Sequence, residues 1–238
     1  MNNTILQVFA GLGGAAFAAY GTYAAVTYMR YGKASAPDGK ASPLYEFMPE
    51  FEVRDVHRRR VRAPEDTAFS AACNLPSDAS PVVRGLFGLR ALPARLLGRY
   101  EEPEPARPLV RMMESYGWRI LSIQPGRHVV LGAMAQPWSA SVDFLGVNSG
   151  GFRGFNEPGY AKIAFMIEAH PVSATTSVLG VETRVTTTDR KSRAKFRRYW
   201  SLVSPGVVAI RYEMLRQAKA VAEQGLTSRR LMRARTMS

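Results

Sequence analysis

The order of the secondary-structure elements predicts an α+β fold, in which one long C-terminal helix covers one face of an antiparallel sheet. Three observations support this prediction. A strand-like stretch after residue 50 is followed by short helical stretches, several stretches of alternating polarity come next, and an apolar stripe at helical spacing closes the chain. A sheet that curls around a long helix tends to leave a cavity between the two.

The first segment, residues 1–31, is predicted to be a transmembrane anchor. No charged residue or histidine precedes Arg30, and Ile5–Tyr28 is almost wholly apolar or small, as a spanning helix of roughly 20 residues requires. Tyrosines gather near its C-terminal end, and Arg30 and Lys33 follow, which favours a cytoplasmic soluble domain. We therefore expect a single-pass protein of the bacterial inner membrane. Small residues at helical spacing also suggest self-association through this helix.

An alternative is that this segment is a cleaved signal peptide and that the protein is exported. Ala34–Ala36 would serve as the cleavage site. However, the residues before the apolar run carry no basic side chain, and the run itself is longer than usual for a signal peptide.

Residues 32–50 are interpreted as a linker, because they contain several helix breakers and no apolar periodicity. The soluble domain is expected to span residues 51–225 and to be followed by a basic tail, residues 226–238. Its first elements are a strand over Phe51–Val61 and a short helix over Glu65–Asn74, which follows Pro64. A second apolar helix is predicted over Pro81–Leu92.

Four stretches are then predicted to be antiparallel strands: Trp118–Ile123, His128–Ala135, Tyr160–Glu168 and Val178–Thr187. A turn at Gln124–Arg127 joins the first two into a hairpin. The Gly- and Asn-rich stretch Asp143–Pro158 is expected to be a long loop. In the last strand, alternation places Glu182 and Arg184 on the face opposite the apolar residues.

The last element is predicted to be a long helix over Lys191–Glu223. Its apolar residues recur every three or four positions from Phe196 to Met214, and Val221 follows seven positions later. Pro205-Gly206 is expected to kink or break this helix, because proline lacks the backbone donor and crowds the preceding turn.

Composition limits the function further. The 238 residues carry 32 Lys and Arg against 19 Asp and Glu, a net charge of +13, which favours anionic partners. Cys73 is the single cysteine, so an intrachain disulfide and a multi-cysteine zinc site are excluded. The three histidines are scattered, and we expect neither a metal nor a cofactor. No nucleic-acid-binding motif accompanies the basic clusters, so an anionic membrane surface is the partner we expect.

Three stretches resemble a known family. His57–Phe69 is similar to a strand that ends in a basic-Ala-Pro turn before a short helix, Val181–Val185 to a late strand, and Phe196–Gly206 with Ile210-Arg211 to a closing helix. Together they resemble the START-like or SRPBCC superfamily, which has the helix-grip fold and includes polyketide cyclases/dehydrases and lipid-transport-like proteins. The likeness is to an uncharacterised bacterial branch, here with a membrane anchor.

The resemblance implies an apolar ligand held in a cavity under the long helix. The candidate lining residues are Trp118, Met134, Trp138, Ile163, Phe165, Trp200, Val203 and Val207. Ordinary core packing is the alternative for each of them taken singly. Glu182 and Arg184 could orient a polar ligand group or could form a surface pair, and the surface interpretation is preferred. Arg197 and Arg211 could close the cavity against a ligand anion or could be solvated.

Three hypotheses follow. The first is a membrane-anchored binding protein for a hydrophobic small molecule or lipid. The second is a polyketide cyclase/dehydrase-like enzyme, which needs an acid or base in the cavity such as Glu182 or His128. The third is a basic interaction module for anionic lipid, protein or nucleic acid. The sequence favours binding over catalysis.

Overall fold

The computed structural model describes residues 18–33, 42–76, 107–139, 142 and 144–236, with side chains up to residue 225. Most of the predicted anchor and the predicted helix Pro81–Leu92 lie outside these residues. So do the side chains of the basic tail.

Five strands form one antiparallel sheet in the order β1-β5-β4-β3-β2. They are β1 Val53–Val61, β2 Arg119–Gln124, β3 His128–Ala135, β4 Ala161–Ser173 and β5 Thr176–Thr187. Pairing of β1 with β5 brings the first strand of the domain next to the last. This sheet and the long C-terminal helix confirm the predicted α+β class and are consistent with a helix-grip arrangement.

The described helices are residues 18–30 (α1), Leu44–Phe47 (α2), Glu65–Cys73 (α3), Leu109–Ser115 (α4), Ser149–Gly154 (α5) and Arg190–Thr236 (α6). The sequence predicted α3 and α6 but not α2, α4 or α5. Each of these three has at most seven residues, too few for an apolar stripe to repeat. One of them, α5, lies in the stretch that we expected to be a loop.

Helix α6 begins at a well-defined cap and continues through Pro205. The carboxylate of Asp189 accepts hydrogen bonds from the backbone N–H groups of Lys191 and Ser192, at 2.7 and 3.0 Å. Bonds from the hydroxyl and N–H of Ser192 hold the pKa of Asp189 well below its ordinary value. The expected break at Pro205 is wrong in one respect, because the helix runs unbroken through this residue.

The sheet is buried on both faces. One face, here called the helix face, packs against α3 and α6 through a core that includes Phe69, Phe165 and Leu215. The opposite face packs against α2 and α5 through Leu44 and Phe152, among others. Residues 44–48, within the stretch expected to be a linker, therefore supply part of the core.

Among the described residues, no helix is both long enough and apolar enough to cross a membrane.

Candidate functional site

Four polar side chains meet on the helix face, inside an otherwise apolar layer. Asp55 and His57 come from β1, Thr183 from β5 and Arg211 from α6. Asp55 pairs with Thr183 across the two strands, so their side chains lie side by side on one face. We call these four residues the Asp55–Arg211 cluster.

The cluster separates two apolar groups of the helix face. One group contains Phe165, Val181 and Met214, and the other contains Val185 and Phe196. A polar group in such a layer is costly unless its hydrogen bonds are made.

Asp55 and His57 form a close pair. The Nε2 atom of His57 lies 2.8 Å from Oδ1 of Asp55, and the side chains are 10% and 13% exposed. An ionised carboxylate can only accept, so Nε2–H donates and a neutral imidazole keeps its lone pair on Nδ1. The ring also contacts Tyr212 edge-on, with 4.8 Å between the ring centres. Carboxylate and tyrosine together fix the orientation of this imidazole.

Arg211 reaches the cluster from α6. Its Nη2 donates to Oγ1 of Thr183 at 3.4 Å, and its Cζ lies 4.3 Å from the centre of the Phe165 ring. Burial lowers the pKa of Arg211 to about 10, and the charge of Asp55 opposes this shift. The guanidinium remains a cation at neutral pH.

Two buried atoms of the cluster lack a hydrogen-bond partner among the described residues. They are Nε of Arg211, a donor, and Oδ2 of Asp55, an acceptor. Leaving such a group unpaired costs about 1–3 kcal/mol, and more if it is charged. A ligand oxygen would satisfy the donor, and a ligand hydroxyl, carboxamide or carboxylic acid proton would satisfy the acceptor.

The structure places most of the predicted lining residues on this side of the sheet. Ile163, Trp138 and Trp200 pack against the apolar group that contains Phe196, while Phe165 and Trp118 belong to the neighbouring apolar group. Val203 and Val207 of α6 are half-buried.

Met134, Glu182 and Arg184 lie on the other side. Met134 is buried in the core formed with α2 and α5. The preferred interpretation of Glu182 and Arg184 as a surface pair is wrong, because both side chains are buried. The sequence suggested exposure because it did not show that α2 and α5 cover this face.

Glu182 and Arg184 belong to a buried ionic network. Oε1 of Glu182 accepts from Nε of Arg184 at 2.7 Å and from Nε of Arg54 at 2.9 Å. Burial alone would raise the pKa of Glu182, but these hydrogen bonds outweigh it and the pKa is lowered. Arg184 also donates to the carbonyl of Met48 at 2.9 Å. The network therefore ties the segment around α2 to the sheet.

Arg197 contacts α1 and not the Asp55–Arg211 cluster. Its Nε donates to the carbonyl of Tyr28 at 2.7 Å, and its Cζ lies 3.7 Å from the centre of that ring. His128, the other acid or base considered, pairs with Glu168 across two strands on the face opposite α6.

The sequence interpretation missed Asp55 and His57 as site residues. A signal was present, because Val53, Asp55, His57 and Val61 share one face of β1, and both valines are buried. The neighbouring arginines gave this strand the pattern of an exposed basic edge.

A groove also lies on the surface of the domain, away from the Asp55–Arg211 cluster. This open groove of about 390 Å³ lies between α3 and the later part of α6, and Ser70, Asn74 and Val221 are among the residues that line it. No three side chains of His, Cys, Asp or Glu are placed to hold a metal ion in this part of the chain.

No protein-family model and no curated protein matches the sequence. Solved structures with some likeness include a conserved protein from Geobacillus kaustophilus, at 11% identity and a TM-score of 0.32, over 72% of this chain and 96% of that one. The Zhui aromatase/cyclase from Streptomyces sp. R1128 has 12% identity and a TM-score of 0.27, over 70% and 93%.

Norcoclaurine synthase from Thalictrum flavum has 13% identity and a TM-score of 0.26, over 81% of this chain and 98% of that one. These scores are too low for the likeness to support an argument about the chemistry of this chain.

Proposed function

We propose that the protein binds an apolar small molecule or lipid between the helix face of its sheet and α6. The observation that supports this best is the pair of unsatisfied buried atoms, Nε of Arg211 and Oδ2 of Asp55, within an apolar layer. An unsatisfied donor and an unsatisfied acceptor in one cluster fit the polar end of an amphipathic molecule.

In this proposal the two sides of the layer have separate tasks. The cluster holds the polar end of the ligand, since its hydrogen bonds are stronger in a buried site than in water. Half-buried side chains of α6, such as Trp200, Val203 and Val207, contact the apolar body. Burial of that body supplies the affinity, at roughly 25 cal/mol per Å² of apolar surface.

The membrane anchor belongs to the same proposal. We infer that residues 1–31 hold the domain at the bacterial inner membrane, with residues 51–225 in the cytoplasm. The support is the uncharged, apolar run before Arg30. Anchoring would keep the binding layer close to the bilayer, which would be the source of the ligand.

The test is native mass spectrometry of the full chain in mild detergent, followed by organic extraction of what it holds. We expect one apolar molecule per chain, with a hydroxyl, carboxamide or carboxylic acid group. Arg211→Met should lose this adduct. Arg216→Met is the matched control, because Arg216 lies on the same helix but is 60% exposed and paired with Glu213.

Either of two results would overturn the proposal. One is a protein without adduct that takes up nothing from a lipid extract, which would favour the interaction-module hypothesis. The other is an adduct that persists unchanged in Arg211→Met, which would place the binding site elsewhere.

A second candidate function is acid–base catalysis on the bound molecule. The observation that favours it is the pair of His57 and Asp55, in which a carboxylate orients an imidazole with a free Nδ1. Incubation of the extracted ligand with protein in deuterated water tests it. Exchange of a C–H proton that His57→Gln abolishes would support catalysis, and absence of exchange would count against it.

A further inference from the structure

Helix α1 and the first half of α6 run antiparallel and are joined by specific bonds. The hydroxyl of Tyr20 donates to the carbonyl of Leu202, and that of Tyr23 lies 3.4 Å from Oγ of Ser204. Towards the other end of α1, the guanidinium of Arg197 lies over the ring of Tyr28. From Tyr23 and Ser204 to Tyr28 and Arg197, residue numbers rise along α1 as they fall along α6.

Further contacts join the C-terminal end of α1 to the N-terminal end of α6. The ring of Tyr31 packs on Phe196 with 6.0 Å between centres, and its hydroxyl bonds to Glu52. Arg193 forms an ion pair with the same carboxylate at 3.3 Å. The position of α1 on the domain is therefore fixed at both ends.

Charge changes at the same level in both helices. In α1, residues 18–29 are uncharged and Arg30 follows. In α6, Arg193, Arg197 and Arg198 precede twelve uncharged residues, 199–210. Because the helices are antiparallel, the basic parts lie together at one end of the pair and the uncharged parts at the other.

The uncharged end exposes apolar surface. Tyr20, Tyr23 and Val26 of α1 and Leu202 of α6 are all between 37% and 55% exposed. No acidic residue occurs in residues 1–33 or in residues 190–212. Among the described residues, the carboxylates at the basic end are Glu52, which pairs with Arg193, and Asp189, which caps α6. The remaining exposed cations beside an apolar surface are complementary to an anionic bilayer.

We propose that this α1–α6 face docks on an anionic lipid bilayer. The basic end meets the phosphates, Val26 lies just below them, and Tyr20 and Leu202 reach the acyl chains. The inference rests on the membrane part of the proposed function and specifies which side of the domain faces the lipid. Val203 and Val207, the half-buried residues that contact the ligand in the proposed function, then lie close to the bilayer.

The test uses the full chain with a single environment-sensitive fluorophore, in vesicles that carry spin-labelled lipid as quencher. Cys73→Ala removes the native thiol, and Leu202→Cys, Val221→Cys and Ala10→Cys each provide one labelling site. Val221 is the matched control, an exposed apolar residue on α6 (49%) that is far along the helix from α1. Vesicles are phosphatidylcholine, with or without one quarter phosphatidylglycerol.

In the anionic vesicles we expect quenching at position 202 to exceed that at position 221 several-fold, and to fall in pure phosphatidylcholine. Arg198→Gln combined with Lys33→Gln should reduce quenching at position 202, and Arg216→Gln should not. Quenching of the fluorophore at position 10 shows separately whether the predicted anchor enters the bilayer.

Quenching at position 10 but equal, weak quenching at 202 and 221 would overturn the docking proposal and leave the anchor intact. Absence of quenching at position 10 would overturn the anchor itself. Disulfide cross-linking of two chains through Leu202→Cys, without quenching, would show a second copy on this face and would also overturn the proposal.

Discussion

Arg184 and Glu182, two residues apart on β5, are joined by a hydrogen bond of 2.7 Å in a site where neither side chain is more than 1% exposed. The rings of Tyr45 and Phe51 lie 4.3 and 4.7 Å from the guanidinium carbon of Arg184. A guanidinium between two rings and beside a carboxylate holds the residues around α2 in place. The pair therefore has a structural role on the face opposite the candidate site.

Replacing Glu182 by Gln should destabilise the fold by about 3–5 kcal/mol, because it leaves the cation of Arg184 buried without its partner. Denaturant unfolding measures this change. Glu46→Gln is the control, since Glu46 and its partner Arg153 are 61% and 48% exposed, and an exposed pair contributes at most about 1 kcal/mol. Equal effects of the two substitutions would contradict the structural role.

Mild acid should destabilise the protein through His128. Burial lowers the pKa of His128, the nearby charge of Glu168 opposes this shift, and His170 adds to it. The unfolded chain thus takes up a proton before the folded chain does. Stability should fall as the pH drops below the ordinary histidine value of 6.5 and continue to fall until the folded-state pKa is reached.

His128→Gln should make this loss shallower, and melting temperatures between about pH 8 and pH 5 would show it. An unchanged slope would mean that other groups dominate the acid response.

Gly132 on β3 should not tolerate a side chain. A Cβ at this position would lie 2.5 Å from Cδ1 of Leu121 and 2.9 Å from the ring of Phe152. Gly132→Ala should therefore cost about 1–3 kcal/mol through overpacking. Gly225→Ala is the contrasting change, because Gly225 lies in α6 with nothing within 4 Å, and it should stabilise the helix by up to about 1 kcal/mol. Denaturant unfolding measures the change in the free energy of unfolding for each variant. Changes of the same sign would contradict the prediction.

Arg211→Met should lower the stability little, although Arg211 is buried in the core layer. The guanidinium is desolvated and its Nε is unsatisfied, so its removal recovers a desolvation cost, while Asp55 keeps its hydrogen bond with His57. A thermal melt of the variant in ligand-free detergent measures this. A large loss of stability would show that Arg211 is needed for the fold, and its proposed role in binding would then lack support.

The sequence predicted the sheet well where one face of a strand is apolar. In β4 the residues Ile163, Phe165 and Ile167 alternate with others, and the strand was found with its correct face. The same reasoning failed for Glu182 and Arg184, because periodicity shows which residues share a face but not what covers the other face. The covering elements, α2 and α5, are too short to be recognised from periodicity.

The candidate site was predicted in part. The apolar stripe of α6 correctly indicated that Phe196, Trp200 and Met214 face the domain. The polar cluster depends on the pairing of β1 with β5, which brings Asp55 beside Thr183 over a long separation in sequence. Local pattern cannot supply such a pairing, since it is set by the closure of the whole sheet.

Helix α6 has 47 residues, and at 1.5 Å per residue it is about 70 Å long. Pro205 cannot donate to the carbonyl of Ser201, four residues before it, so its turn is the weakest point against bending. On one side of this point Tyr20 is bonded to Leu202, and on the other side Arg211 reaches the polar cluster. Bending of α6 at Pro205 would therefore couple the two contacts. A tilt of α1 would change the angle at which Arg211 enters the Asp55–Arg211 cluster.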